Sequence, residues 1–183
     1  MALLGQQWID EIEISERPAE WVYYISEIAA GSKQKYTLCK RTGRLRLKRA
    51  LPDGLEYPTN YGFIPHTRSE ADGEEIDLLA ITTEPLLPLT ICHVRVIGGF
   101  TIHSTDKDPE DKLVGVAVHD PRVEKLHELA DLDDKRRAGI EAFFSTYKRD
   151  RGIIVNFQRW FDRLEAIAKL EDGIRAARRK QAA

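Results

Sequence analysis

The chain is expected to be α+β: a small closed or nearly closed β-barrel with C-terminal helices packed against it. Two observations carry that expectation. Through the first two thirds, aromatic and β-branched residues gather in short runs separated by Gly, Pro, Asn and Asp, the pattern of strands and turns. In the last third the period lengthens, with Ile140, Phe143, Phe144 and Tyr147 at i, i+3, i+4 and i+7 on one helix face. Strands first and helices last is the α+β order, and closing the sheet is one way to hide its edges.

Trp21 to Ile28 reads as the first strand, rich in aromatic and β-branched residues. Tyr36 to Cys39 and Leu45 to Lys48 flank Lys40-Arg41-Thr42-Gly43, a hairpin turn. Further strands are expected at 60–64, Ile76 to Thr82, Ile91 to Ile97 and Leu113 to Val118. Asp131 is placed to cap the helix that carries Ile140, and Asp133 and Asp134 favour the positive end of its dipole. A second helix is expected from near Trp160 to the C-terminus. Trp160, Leu164, Ile167 and Ala168 would face inward, with Gly173 weakening it locally. No internal repeat or low-complexity linker divides residues 1–183, which read as a single domain.

Bulk properties narrow the class. Lys plus Arg number 28 against 30 Asp plus Glu, so net charge gives no pull towards nucleic acid or an anionic membrane. No apolar run approaches the roughly 20 residues that span a bilayer. Met1-Ala2-Leu3-Leu4 runs at once into Gly and Gln, which is not a signal peptide, and the two cysteines, Cys39 and Cys92, lack CxxC spacing. The expected compartment is the cytoplasm. The five histidines show no HExxH or paired-ligand spacing, which argues against zinc. The absence of GxxxxGK[ST], GxGxxG and GxSxG argues against P-loop, dinucleotide and α/β-hydrolase chemistry.

Chemistry concentrates in two acidic segments. Asp72-Gly73 is a turn signal, followed by Glu74, Glu75 and a strand on which Asp77, Leu79 and Ile81 share one face. Asp77 therefore opens an otherwise apolar face, a costly place for an unpaired charge. A hard cation would relieve that cost, and Mg²⁺ typically takes one or two carboxylates plus water and phosphate; a solvated hairpin turn is the plainer alternative. The second segment, Asp106 to Lys112, again leads into a strand, so the two suggest either one shared polynuclear site or a surface charge run. Lys35, Arg49, Lys112 and Lys148 are candidates for phosphate oxygens, Arg as a fork and Lys as a point charge, against ordinary solvated residues. Tyr147 shares its face with Phe143 and Phe144, so its ring packs inward while its hydroxyl seeks a polar partner.

From about Val22 to Trp160 the chain resembles the family I soluble inorganic pyrophosphatases. Tyr57-Pro58-Thr59-Asn60-Tyr61-Gly62-Phe63-Ile64-Pro65 matches the family's YPxNYGYIP-like segment with both tyrosines in place. Glu27 matches the acid of its first active-site strand, and Lys35 and Arg49 its phosphate-binding pair. Asp72 and Asp77 match the outer metal-binding aspartates of D-G-D-P-x-D. Lys112-Leu113-Val114 matches K-L-[VI], and Phe143 to Lys148 matches FFxxYK, whose Tyr and Lys bind phosphate. The resemblance implies an OB-like barrel, a homo-oligomer, and Mg²⁺-dependent hydrolysis of pyrophosphate to two phosphates by a water bridging two metals. Mn²⁺ is the other cation to consider, since both take oxygen ligands. Neither nucleic acid nor membrane is an expected partner.

The departures bear on metal number and speed. The middle aspartate of D-G-D-P-x-D is Glu74, and the proline is Glu75. In the family that position orients or deprotonates the attacking water; Glu carries the carboxylate roughly 1.5 Å further, and misplacement by about 1 Å can cost ~10²-fold. Thr37 replaces a further acid, and Asp106-Lys107 stands where an acidic pair is usual. The second loop is one residue short: spacing from Asp106 makes Asp111 the central metal ligand, while counting back from Lys112 selects Glu110. The resemblance thus assigns Glu74 and Tyr61 to catalysis, and Lys35, Arg49, Tyr61, Lys112, Tyr147 and Lys148 to substrate. Asp72, Asp77, Asp106, Asp111 and Glu27 fall to metal. The alternative is a pyrophosphatase-like protein that binds a phosphate compound with weak or no turnover. A single-stranded nucleic-acid module ranks well behind, disfavoured by the acids.

Overall fold

The computed structural model describes residues 4–181, and the reading of the extreme N-terminus at residues 1–3 lies outside them. A short helix α1 (Leu4–Asp10), which the sequence did not announce, precedes β1 (Val22–Ile28). Then come a hairpin, β2 (Gln34–Cys39) and β3 (Arg44–Ala50), and the strands β4 (Asn60–Ile64), β5 (Ile76–Ile81), β6 (Ile91–Ser104) and β7 (Glu110–Ala117). The helix α2 (Asp134–Thr146), the strand β8 (Val155–Phe161) and the helix α3 (Arg163–Gln181) complete the chain. Six strands form one mixed sheet in the order β1-β4-β5-β7-β6-β8, and β1 pairs in addition with β6; β2 and β3 form a separate two-stranded ribbon.

Apolar side chains lie on both faces of that sheet, because strand alternation sends neighbours opposite ways. Leu79 and Ile81 of β5 join a cluster with Phe143 and Phe144 of α2. Leu78 and Ala80 join another with Ala166, Leu170 and Ile174 of α3. Burying both faces of β5 explains why its run is nearly continuously apolar. A third cluster joins Ile9 of α1 to Ile25, Leu38 and Phe63.

Four expectations need correction. The strand expected to stop at Ile97 continues to Ser104, with a register shift between Val96 and Gly98. Gly98 and Gly99 look like breakers, yet a Cβ on Gly98 would lie 2.8 Å from Leu129 Cβ, and one on Gly99 would lie 2.4 Å from the Phe161 ring. They are glycine because other chain segments pass against this strand. Trp160 is in β8, paired with Phe100, and not in a helix. On α3 the buried positions are Ala166, Leu170 and Ile174, while Leu164 is 81% exposed, so the inward face is rotated from the expected one. Finally, α2 is capped by Asp133, whose side chain accepts from the Arg136 amide at 2.8 Å. Asp131 serves its own turn, accepting from His127 and Glu128. Among the described residues no helix is long and apolar enough to cross a membrane.

Candidate active site

Strand register builds one face of a cleft. Asp77 on β5 pairs across with Phe63 on β4, and Leu79 with Tyr61, so Tyr61, Phe63 and Asp77 project from the same side of the sheet. Lys112 on β7 alternates with Leu113, which goes to the opposite cluster, and so joins them. Glu27 arrives by a bulge: β1 pairs Ser26 with Gly62 and Ile28 with Tyr61, leaving Glu27 as the extra residue. Bulges re-aim a side chain in this way. On the β2–β3 ribbon Lys35 lies directly opposite Arg49. Like charges so placed are destabilising, and an anion between them would relieve the repulsion.

The cleft has a volume of about 500 Å³ and is lined by Glu27, Lys35, Tyr61, Asp72, Glu74, Asp77, Asp106, Lys112, Tyr147 and Lys148, all singled out in the sequence. Two singled-out residues do not line it. Arg49 lies just outside, its guanidinium 5.7 Å from the Tyr147 ring centroid and donating to the Tyr147 carbonyl at 2.9 Å. Asp111 turns the other way, accepting from Thr101 Oγ1 at 2.6 Å and pairing with Lys169 Nζ of α3 at 2.7 Å. Its neighbour Glu110 enters the cleft instead. The reason is alternation: β7 begins at Glu110, so Glu110 and Lys112 share a face and Asp111 takes the opposite one.

Ion pairs organise the charges. Lys112, almost fully buried, bridges the two acidic segments, with Nζ 2.6 Å from Asp77 Oδ2 and 3.2 Å from Glu110 Oε2. Burial alone would lower its pKa, but these two carboxylates outweigh that and raise it. The cost of placing Asp77 on an apolar face is thus met here by an ammonium. Lys148 Nζ lies 3.2 Å from Asp106 Oδ1 and 3.2 Å from Ser104 Oγ. Lys107, substituted for an expected acid, pairs with Glu110 Oε1 at 3.1 Å. Thr37, the other lost acid, donates to Glu27 Oε1 at 3.2 Å, beside the Leu38 amide at 2.5 Å. Burial, with the Asp77 charge adding to it, still pushes the Glu27 carboxyl up to about 7. Lys35 moves the other way: burial, then the charges of Lys112 and Arg49, bring it down to about 8. Burial and the Asp77 charge hold the Tyr61 hydroxyl well above its ordinary value, and burial pushes Tyr147 up to about 12, so both remain proton donors at neutral pH.

The 72–77 turn is shaped by its backbone. Gly73 has φ +72°, where a side chain is strained, and Asp72 Oδ1 accepts from the Glu74 amide at 3.1 Å. The Glu74 side chain is left 73% exposed, 3.9 Å from Lys40 Nζ. Lys40, which also pairs with Glu75, lines the cleft together with Lys48 and Arg151, none of which the sequence points to as a site residue. No local pattern could tie Lys40 on the hairpin to Glu75; only the assembled fold brings them together.

The donors facing the cleft are carboxylates, which suit a hard cation. Among the described residues no three His, Cys, Asp or Glu side chains converge on one point. A cation held by one or two of these carboxylates, completed by water and phosphate oxygens, fits that arrangement as Mg²⁺ sites usually do.

Comparison with known proteins identifies the family. The inorganic pyrophosphatase family profile matches residues 24–178. The inorganic pyrophosphatase of Streptomyces coelicolor is 39% identical over 146 residues, covering 79% of this chain and 88% of that protein. That of Thermus thermophilus is 32% identical over 165 residues, covering 88% and 93%. A crystal structure of the Thermus thermophilus protein superposes with a TM-score of 0.86, covering 91% of this chain and 97% of that one. The Helicobacter pylori enzyme superposes with a TM-score of 0.86 at 27% identity, covering 92% and 99%.

Proposed function

Since the chain belongs to the inorganic pyrophosphatase family, we propose that it hydrolyses pyrophosphate to two phosphates with the help of Mg²⁺ or Mn²⁺. The observation that carries this reading is the single cleft that collects carboxylates from both acidic segments beside Lys35, Lys112, Lys148 and two protonated tyrosines. Asp72, Asp77, Asp106 and Glu110 are the residues that would hold cations, with Glu27 behind them; Asp111 is replaced in that role by Glu110. Bound there, a divalent cation would acidify water near neutral pH and offset phosphate charge.

The chain's own residues do the rest. Glu74, the carboxylate with most freedom to swing, orients the attacking water and takes its proton. Lys112 sits between the two acidic segments and can turn its ammonium from Asp77 towards a phosphate oxygen. Lys35 and Lys148, with Arg49 behind Tyr147, neutralise the substrate, and Tyr61 and Tyr147 donate hydrogen bonds to it. Positioning and charge neutralisation supply most of the rate in phosphoryl transfer. The proposal includes one domain over residues 1–183, a cytoplasmic setting in which Cys39 and Cys92 stay as free thiols, and a homo-oligomer. The pairing of β1 with both β4 and β6 supports reading the sheet as an OB-like closed barrel.

Phosphate release from pyrophosphate at saturating Mg²⁺ tests the reading. Wild type is expected to turn over robustly, Asp77→Ala not at all, and Glu74→Asp to remain active. Turnover by Asp77→Ala equal to wild type would sink the assignment. An inactive wild type restored by Glu74→Asp would mean that the longer side chain displaces the water.

A further inference from the structure

Away from the cleft, two histidine rings meet at the surface. His93 on β6 and His119, just beyond β7, place Nδ1 and Nε2 respectively 3.1 Å apart. Their sequence separation hides the pair, but β6 and β7 are antiparallel neighbours with Val94 opposite Ala117. The Val118 amide also donates to the His93 carbonyl at 3.1 Å, fixing the two backbones side by side. Neither ring lines the cleft.

The geometry points to a bidentate surface site at His93 and His119 for an imidazole-preferring transition-metal dication, of the class Ni²⁺, Cu²⁺ or Zn²⁺. Two metal–nitrogen bonds of about 2.0–2.1 Å meeting at roughly 90–110° put their nitrogens about 3 Å apart, which is the separation observed. Both nitrogens need a lone pair. The ring that now donates must change tautomer, and no net proton has to leave. Burial and the neighbouring His119 ring also lower the His93 pKa below the ordinary value, which favours the neutral ligand form. Trp21 and Tyr23 pack against His93, with ring centroids 4.3 and 4.7 Å away, and limit its movement. Orientation of a ligating ring by its neighbours is part of what gives a site affinity. No third His, Cys, Asp or Glu joins the pair among the described residues. Water therefore completes the shell, and oxygen-preferring Mg²⁺ is the wrong ion for it. The sequence argument against zinc rested on spacing along the chain, which strand pairing bypasses.

Calorimetric titration of the full, untagged protein with NiCl₂ at saturating Mg²⁺ tests this. One saturable Ni²⁺ site is expected. Losing a supporting partner of a metal ligand already costs about 10–100-fold in affinity, so His93→Gln and His119→Gln should each weaken binding by at least roughly ten-fold. Both variants should hydrolyse pyrophosphate as wild type does, which shows that they fold and that the cleft is separate. Cu²⁺ should quench Trp21 fluorescence in wild type, and Trp21→Phe should lose that quenching while still binding Ni²⁺. No saturable Ni²⁺ binding in wild type overturns the inference. So does binding that either histidine variant retains undiminished, because a bidentate site requires both rings.

Discussion

Two acidic turns line the same cleft and are held in opposite ways. The 72–77 turn has close ion pairs at Glu75 and Asp77, but its apex is fixed through its backbone: Gly73 in the left-handed region, Asp72 accepting from the Glu74 amide, and Arg68 Nη1 donating to the Gly73 carbonyl at 2.6 Å. The 106–111 turn is fixed by ammonium groups, with Lys148 on Asp106, Lys107 and Lys112 on Glu110, and Lys169 on Asp111. The first arrangement settles where the chain runs and leaves the Glu74 carboxylate able to move. The second settles where the charges sit and makes their position depend on partners from other elements. The proposed mechanism, which grips phosphate and positions a water, has use for each.

The comparison breaks most sharply at neighbouring residues. Glu110→Ala should lower kcat/KM by about 10²-fold or more, the scale seen when one electrostatic contact in a site is removed. Asp111→Ala, on the opposite face of β7, should leave kcat/KM near wild type. Reversed results would return the ligand role to Asp111. A smaller effect probes the backbone-held turn. A Cβ on Gly73 would lie 2.5 Å from Arg68 Nη2, at a φ of +72°. Gly73→Ala should therefore cost about 1–3 kcal/mol in denaturant unfolding, and an unchanged midpoint would show the turn to be less constrained than its geometry implies.

The cationic side responds to pH. The folded Lys35 pKa of about 8 lies below the ordinary 10.5. Between those values the unfolded chain binds more protons, so the Lys35 contribution to stability rises with pH across that window. Over the same window the folded protein loses a positive charge from its proposed phosphate site. KM for pyrophosphate should climb as pH passes about 8 in the wild type, and much less in Lys35→Met. A KM flat through that range in wild type would remove Lys35 from substrate binding.

Much of this was legible in the chain. The aromatic run of β1, the hairpin around Gly43, the Asp72-Gly73 turn and the 140–147 helix face all announce themselves locally. So do ten of the cleft's residues, through motif order. What stayed hidden depends on long-range contact. β8 follows the left-handed Gly152, but its Trp160 and Phe161 read equally as the start of the helix behind them, and its pairing with the far half of β6 makes it a strand. Gly98 and Gly99 signal a break when read alone, yet they mark a close crossing by Phe161. The inward face of α3 is masked in the sequence because Trp160, an apolar position at helical spacing from Leu164, belongs to β8 instead. Glu110 and Asp111 could not be separated until the first residue of β7 was known, since one step in a strand reverses the face.

Lys112 joins both turns through Asp77 and Glu110, and that has a bearing on the protein before it ever meets a divalent cation. Carboxylates gathered without counterions would push the cleft apart, and such a protein would need its cation in order to hold its shape. Here the chain carries resident countercharges. Newly made or chelator-treated protein should therefore keep its native form and wait for cation and substrate. Thermal unfolding in excess EDTA should remain a single cooperative transition, whereas a broad, non-cooperative melt would show that the lysines do not suffice.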